Sequence, residues 1–265
     1  MGQPVQLRVT PTNSRDSSNN KVRIRVCRPS DQTKIQNLFK TCIVYGAGSP
    51  ARIAVADGFQ NPTTYGLCIL LVISLGLIIS GIPRNILVGG PMSIAILVYL
   101  AVLLHGRMEL YVTFAYTSCK DDLAKLIDHY ELKLSDSVPN VYFTSGPRGF
   151  WVAEVDRPGA SEPEIVGCIG LDLSRIHGPD TGEMRRMVVS PDHRGSGIAS
   201  MLYDVCEAHA RQHKLKSIVL TTTQFQPHGR KFYERQGYFV DSDKIMPSGL
   251  LKIKFLFYRK YMLYN

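Results

Sequence analysis

The chain has 265 residues, 45% of them hydrophobic and 20% charged, which suits one large domain with its own core and excludes a disordered polymer. Its six cysteines (27, 42, 68, 119, 168 and 206) show no CxxC or CxH spacing, which argues against a zinc module and against a small disulfide scaffold. The net charge of +9 is uneven: residues 1–66 hold nine Lys/Arg against three acids, residues 67–118 two against one, and residues 119–265 twenty against eighteen. The basic excess therefore precedes the bulk of the chain and does not mark a folded nucleic-acid-binding surface.

In chain order, residues 1–20 are rich in Ser, Asn and Thr and read as a loose polar tail. Lys21–Arg28 alternates apolar and basic residues and predicts a strand. Ser30 or Asp31 can cap a helix to about Val44, with Ile35, Leu38, Phe39 and Cys42 on one face. Between Leu67 and Leu104 the only charge is Arg84. The pattern predicts two short apolar helices joined near Pro83-Arg84-Asn85, within residues 65–105, as a full or re-entrant membrane hairpin, against a buried soluble hairpin. Its distance from the N-terminus excludes a signal peptide. Arg52 before the block and Arg107 after it favour both termini in the cytosol, and Arg84 weakly opposes this.

Beyond the hairpin, Ser118 can cap a helix with Leu123, Leu126, Ile127 and Tyr130 on one face. Strands follow at Phe150–Val155, Ile165–Leu173 and Glu183–Val189, then an amphipathic helix over Ile198–His213. Lys216–Thr222 is a strand, Gln226–Gln236 a short helix, and Tyr238–Val240 and Lys252–Tyr258 the last strands. This order predicts a mixed α/β fold around a twisted sheet.

The chemistry concentrates in Glu183–Ala199, EMRRMVVSPDHRGSGIA. A strand ends at Ser190-Pro191, a loop carries Arg194-Gly195-Ser196-Gly197, and a helix opens at Ile198. A glycine-rich loop at a helix N-terminus presents free N–H groups to an anion, and a pyrophosphate is the natural guest. A tight turn without a ligand is the alternative for that loop taken alone.

A second block, QPHGRKFYERQGY at 226–238, follows a strand and ends on a Gly-aromatic pair. Together the two blocks resemble the GCN5-related N-acetyltransferase (GNAT) superfamily. Gly195 and Gly197 fill the glycine positions of its acetyl-CoA motif, and Asp192 stands where Gln or Arg is usual. In the second block Gln226 replaces Asn, Gly229 replaces Ala, Tyr233 and Gly237 match, and Tyr238 replaces Phe. The resemblance covers about residues 21–44 and 118–265. With an apolar block between the first two helices, and with Glu183–Ser190 fitting the same pattern, the chain resembles the membrane-bound camello-like, or N-acetyltransferase 8-like, branch.

The resemblance implies a polar tail (1–20), the first strand and helix of the fold (21–46), an embedded hairpin (65–105) and a catalytic domain (118–265). It implies acetyl-CoA as co-substrate, no metal, and an endoplasmic reticulum membrane. The acceptor is expected to be a small amino acid or its conjugate, with protein lysines as the within-class alternative. A silent acyl-CoA-binding membrane protein is the alternative from another class. Neither the oligomeric state nor the acceptor is encoded legibly, because specificity lies in loops such as 136–149 and 241–250.

Backbone groups of Met187, Val188 and Val189 are expected to meet the pantetheine arm, and Arg194, Gly195, Ser196, Gly197, Ile198 and Ala199 the pyrophosphate, with Gln226 beside them. Tyr233 is expected to protonate the departing thiolate; a packing tyrosine is the alternative. Glu183 is the expected base, against a surface glutamate paired with Arg185 or Arg186. Arg185 and Arg186 alternate sides of their strand, so one should face the cleft and suit a carboxylate-bearing acceptor. His209 and His213 are spaced i,i+4 and read as a surface pair without a third metal ligand.

Overall fold

The structure is a computed structural model describing residues 22–157, 159–160, 162–248 and 251–264; the expected polar tail and Lys21 lie outside the described residues. Strand β1 (Val22–Val26) leads through a short 3-10 turn into helix α1 (Gln32–Lys40), which widens into a π-helical turn over Thr41–Tyr45. Asp31 precedes α1 without capping it forward. Its carboxylate instead accepts from the Arg28 N–H at 2.7 Å and from the Arg25 guanidinium at 2.6 and 3.0 Å.

Helix α2 (Pro50–Phe59) has no counterpart among the sequence expectations, although its start is written in ordinary terms: Ser49 accepts from the Arg52 N–H at 3.4 Å and Pro50 opens the first turn. Helices α3 (Pro62–Ile79) and α4 (Pro83–Lys120) form an antiparallel hairpin. They join at Ser80-Gly81-Ile82, three residues before the expected turn, with Gly81 at φ 71° and Pro83 opening α4. They are not two short helices: α4 has 38 residues and runs through Gly89, Gly90 and Pro91. Gly89 lies against α3, where a Cβ would approach the Ser74 carbonyl oxygen to 2.5 Å, and the Ser74 and Ser93 hydroxyls meet at 2.6 Å.

The apolar stretches of α3 and α4 are only 11% and 17% buried. The distal part of the hairpin stands clear of the sheet, with Ile69, Val72, Ile79, Leu87, Ile94 and Val98 exposed.

Ser118 caps no helix. It sits inside α4 and donates to the Phe114 carbonyl at 2.7 Å, because nothing from Arg107 to Lys120 breaks the helix. The expected second helix is reduced to a 3-10 turn (Asp122–Ala124) and one turn, α5 (Leu126–His129), although Leu123, Leu126 and Tyr130 are buried. A two-stranded ribbon, β2 (Leu132–Leu134) with β3 (Tyr142–Thr144), is also unanticipated.

The remaining elements are β4 (Gly149–Val155), β5 (Glu164–Leu173), β6 (Thr181–Val189), α6 (Ile198–Gln212), β7 (Ser217–Thr223), α7 (Pro227–Arg235), β8 (Phe239–Ser248) and β9 (Leu251–Tyr261). The last two strands are longer than expected, 10 and 11 residues, and pair as one hairpin. Seven strands form one sheet in the order β1-β4-β5-β6-β7-β9-β8, antiparallel except for β6 and β7. The fold is mixed α/β, as the sequence predicts.

Alternation along the strands builds a core on each face. Phe150 and Val152 of β4 join Phe39 of α1 and Tyr111 and Ala115 of α4. Trp151 and Ala153 face the opposite way and join Leu202 and Cys206 of α6.

Candidate functional site

The parallel pairing of β6 with β7 stops after three residues, Thr181 with Ser217, Gly182 with Ile218 and Glu183 with Val219. Beyond it β7 pairs with β9 through Thr223, while β6 stays on β5 through Val189. The strands therefore diverge, leaving β6 from Met184 onward without a ladder partner on its β7 side. A β-bulge assists. Val188 faces Cys168 and Arg185 faces Gly170, so Arg186 and Met187 together oppose Ile169, and Arg186 has φ 55°. Met187 and Val189 pack toward the α6 core and Val188 toward the opposite one, so their side chains are structural and only their backbone edge faces the gap.

The glycine loop closes one end of this gap. Gly195 and Gly197 have φ 85° and 83°, and a Cβ on either would meet no atom within 4 Å. Gly197 is the N-cap of α6, Ser196 donates to the His193 carbonyl at 2.6 Å, and Ile198 and Ala199 begin the helix. The glycines are thus required by backbone conformation, and the space over them is open. Free N–H groups at the head of a 15-residue helix fit a pyrophosphate, so the residues present fit acetyl-CoA. Arg194 points elsewhere. Its guanidinium donates to the Ala47 carbonyl at 2.8 Å and to that of Val189 at 3.4 Å, tying the loop to the segment after α1.

Helix α7 supplies Tyr233, whose ring lies about 6 Å from those of Tyr258 (6.1 Å) and Tyr238 (6.2 Å) and over Gly229. Burial, with Tyr258 adding to it, pushes the Tyr233 phenol up to about 12. Gln226 precedes α7, and its side-chain oxygen accepts from Thr222 Oγ1 at 2.6 Å.

Glu183 marks the point where the strands part, 3.6 Å from Arg185. Arg185 also donates to Asp172 at 3.2 Å. Its own burial opposes the charge, but Glu183, Asp122 and Asp172 together hold its pKa above the usual guanidinium value. The bulge overrides the expected alternation of Arg185 and Arg186, since Arg186 and Met187 together oppose the single residue Ile169. Arg186 is 7% exposed and is consumed internally: it forks onto the fully buried Asp122 at 2.6–3.0 Å, donates to Ser118 at 2.7 Å, and lies beneath Phe39 and Phe114. Burial pulls the Asp122 carboxyl upward, but the Arg186 hydrogen bonds outweigh it and hold the group below the usual carboxylate range. Tyr130 donates to Asp122 at 2.7 Å.

Sequence reasoning missed this Asp122 network and the Asp172 cluster, in which Asp172 also accepts from Leu173 N–H at 2.8 Å and lies 3.0 Å from His129 Nε2 and from Arg148 Nε. Neither Asp belongs to a spaced motif, and only the burial of each reveals its partners. His209 is no surface residue. It is 8% exposed, edge-on to Trp151 and 3.1 Å from the Gly146 carbonyl. Burial, then the neighbouring His213, lower its pKa to about 4. Among the described residues no cluster of His, Cys, Asp or Glu could hold a metal ion.

Helix α4 bridges the gap on the face opposite α6. Its Tyr111 hydroxyl meets Thr223 of β7 at 2.7 Å, and its Ser118, two turns on, holds Arg186 of β6. An open groove of about 450 Å³ runs along this helix, lined by Leu110, Thr113, Phe114, Thr117, Asp121 and Arg186.

The family model described as the acetyltransferase (GNAT) family matches residues 115–238. The chain is 32% identical over 99 residues to the probable N-acetyltransferase 14 of Xenopus tropicalis, a match covering 37% of this chain and 45% of that protein. It thus spans less than half the length of that relative. It is 26% identical over 220 residues to the N-acetyltransferase 8B of Mus musculus, covering 81% of each. A solved Staphylococcus aureus acetyltransferase of the GNAT family is 14% identical, covers 91% of this chain and 99% of its own, and superimposes with a TM-score of 0.49. The match runs through the glycine loop and α7, so residues 115–238 carry a domain of the acetyltransferase (GNAT) family, and the chain is similar to N-acetyltransferase 8-like and camello-like proteins.

Proposed function

We propose that this chain is a membrane-anchored N-acetyltransferase that moves the acetyl group of acetyl-CoA onto the primary amine of a small amino acid or amino-acid conjugate. The observation that carries the reading is the gap between β6 and β7, opening beside the two positive-φ glycines at the head of α6. Bound acetyl-CoA supplies an activated thioester. The chain supplies the rest. Free backbone groups of Met187, Val188 and Val189 hold the pantetheine arm, and one N–H polarises the thioester carbonyl. The loop Arg194–Ala199 wraps the pyrophosphate, with Arg194 bracing the loop and Gln226 flanking it.

Glu183 takes the proton of the acceptor amine through water, and the amine nitrogen bonds to the carbonyl carbon. Tyr233 delivers its own proton to sulfur as the C–S bond breaks. A phenol held near 12 remains a donor throughout the neutral range. Arg185, partly exposed beside Glu183, is the residue that meets an acceptor carboxylate; Arg186 is spent on Asp122.

The hairpin of α3 and α4 anchors the domain in a membrane. Its apolar windows of hydropathy 2.1 and 2.3 are mostly exposed, which a core helix of a water-soluble protein would not be. The charge bias of Arg52 and Arg107 supports a reading with both ends on the cytosolic face, at the endoplasmic reticulum. Radiolabelled acetyl transfer from acetyl-CoA to a panel of amino acids, conjugates and lysine peptides, using detergent-purified full chain, tests the reading. Labelled amide product on the small amines is expected. Tight acetyl-CoA binding with no product on any acceptor would instead identify a silent acyl-CoA-binding protein.

A further inference from the structure

Helix α4 is one uninterrupted rod from the exposed apolar hairpin to the mouth of the β6–β7 gap. Arg107 fixes its position where the hairpin meets the domain: the guanidinium donates to the Ala54 carbonyl and to Asp57 of α2, both at 2.8 Å. The groove starts at Leu110, within one turn of that anchor, and reaches Thr117 about 15 Å beyond Arg107 at the helical rise. Its lining residues repeat at helical spacing, Leu110, Thr113, Phe114, Thr117 and Asp121. The same stripe continues backward through Gly106, Leu103, Val102 and Tyr99, of which Val102 and Tyr99 are 51% and 41% exposed among the hairpin's apolar residues.

One continuous surface therefore leads from the hairpin's apolar flank to the gap. It is apolar at its lower end, carries Thr113 and Thr117 hydroxyls in its middle, and has the exposed Asp121 at its upper end. Asp121 has no ion-pair partner among the described residues. The domain-facing side of α4 is held by Tyr111 on β7 and by Ser118 on β6, which keeps the helix beside the gap it borders.

We propose that this track admits an amphiphilic acceptor: a primary amine carrying an apolar chain, which reaches the site from the membrane. The chain lies along Leu110 and Phe114, and the ammonium group is drawn upward by Asp121 before it loses its proton at the gap. The proposal rests on the transferase reading and narrows its acceptor class. Charge complementarity selects an amine, and continuity with the lipid-facing surface selects an apolar tail.

The test uses full-length protein in phosphatidylcholine vesicles, with radiolabelled acetyl-CoA and straight-chain primary amines from butylamine to dodecylamine. kcat/KM is expected to rise at least about tenfold from the shortest to the longest, since each buried methylene contributes. Thr113→Lys, at an exposed helical position, is expected to flatten that dependence. A dodecylamine with a diazirine on its chain is expected to label residues 110–117, and excess dodecylamine should protect them. Equal or better transfer to butylamine, or labelling elsewhere, overturns the track and leaves the transferase reading intact. Protected labelling of 110–117 without transfer to any amine upholds the track and removes the transferase reading. Absence of both labelling and transfer overturns both.

Discussion

In the proposed reaction the chemistry turns on Tyr233 and the two loop glycines, and they fail in different ways. Tyr233→Phe keeps the ring among Tyr238 and Tyr258 and removes only the hydroxyl. It should lower kcat by about 10²-fold with acetyl-CoA affinity nearly unchanged. Because the phenol titrates near 12, the wild-type rate should show no fall from Tyr233 ionisation between pH 7 and 10. A mere packing role would leave turnover within a few-fold. Gly195→Val with Gly197→Val should abolish acetyl-CoA binding in calorimetry, since both positions need φ above 80°. The burial of His209 predicts a loss of stability in acid. Its folded pKa near 4 lies below the unfolded value, so the unfolded chain binds the extra proton between pH 6.5 and 4. Stability should fall by roughly 3 kcal/mol as pH drops through that window, and His209→Gln should remove this slope from the thermal midpoints.

Among the elements, the bulged strand β6 and the 3-10 turn that follows α4 depend on each other through a buried ion pair. Asp122→Asn leaves the Arg186 guanidinium, 7% exposed, without its counter-charge. A loss of about 3–5 kcal/mol in denaturant unfolding is expected, with the site distorted because Arg186 sits in the bulge. A pair without structural weight would leave the unfolding midpoint in place. In the hairpin, Gly89 permits the close approach of α3 and α4. Gly89→Ile would force a side chain onto the Ser74 carbonyl and part the Ser74–Ser93 hydroxyl contact. Faster trypsin cleavage after Arg84 in detergent should report the loosened hairpin.

For the whole molecule, the proposed anchorage predicts that the full chain stays in the membrane pellet through high salt and alkaline carbonate and dissolves in detergent. Recovery in the salt wash would reduce the attachment to a basic surface contact. The sequence by itself determined the mixed α/β order and the glycine loop at the head of α6, because strand alternation, helical spacing and backbone-demanding glycines are local properties. It also located the apolar block, since composition alone decides that. Tertiary structure decided what depends on distance across the fold. Helix α4 continued past Ser118 because no local breaker stops it and the domain packs its far end. Arg186 turned inward because the bulge reversed its side and Asp122, 64 residues away, was waiting there. His209 was buried because Trp151 and the Gly146 carbonyl meet it from other elements. A charge or imidazole carries no sign in sequence of whether its partner is water or another side chain; only packing supplies that partner, and so only packing could assign these residues their roles.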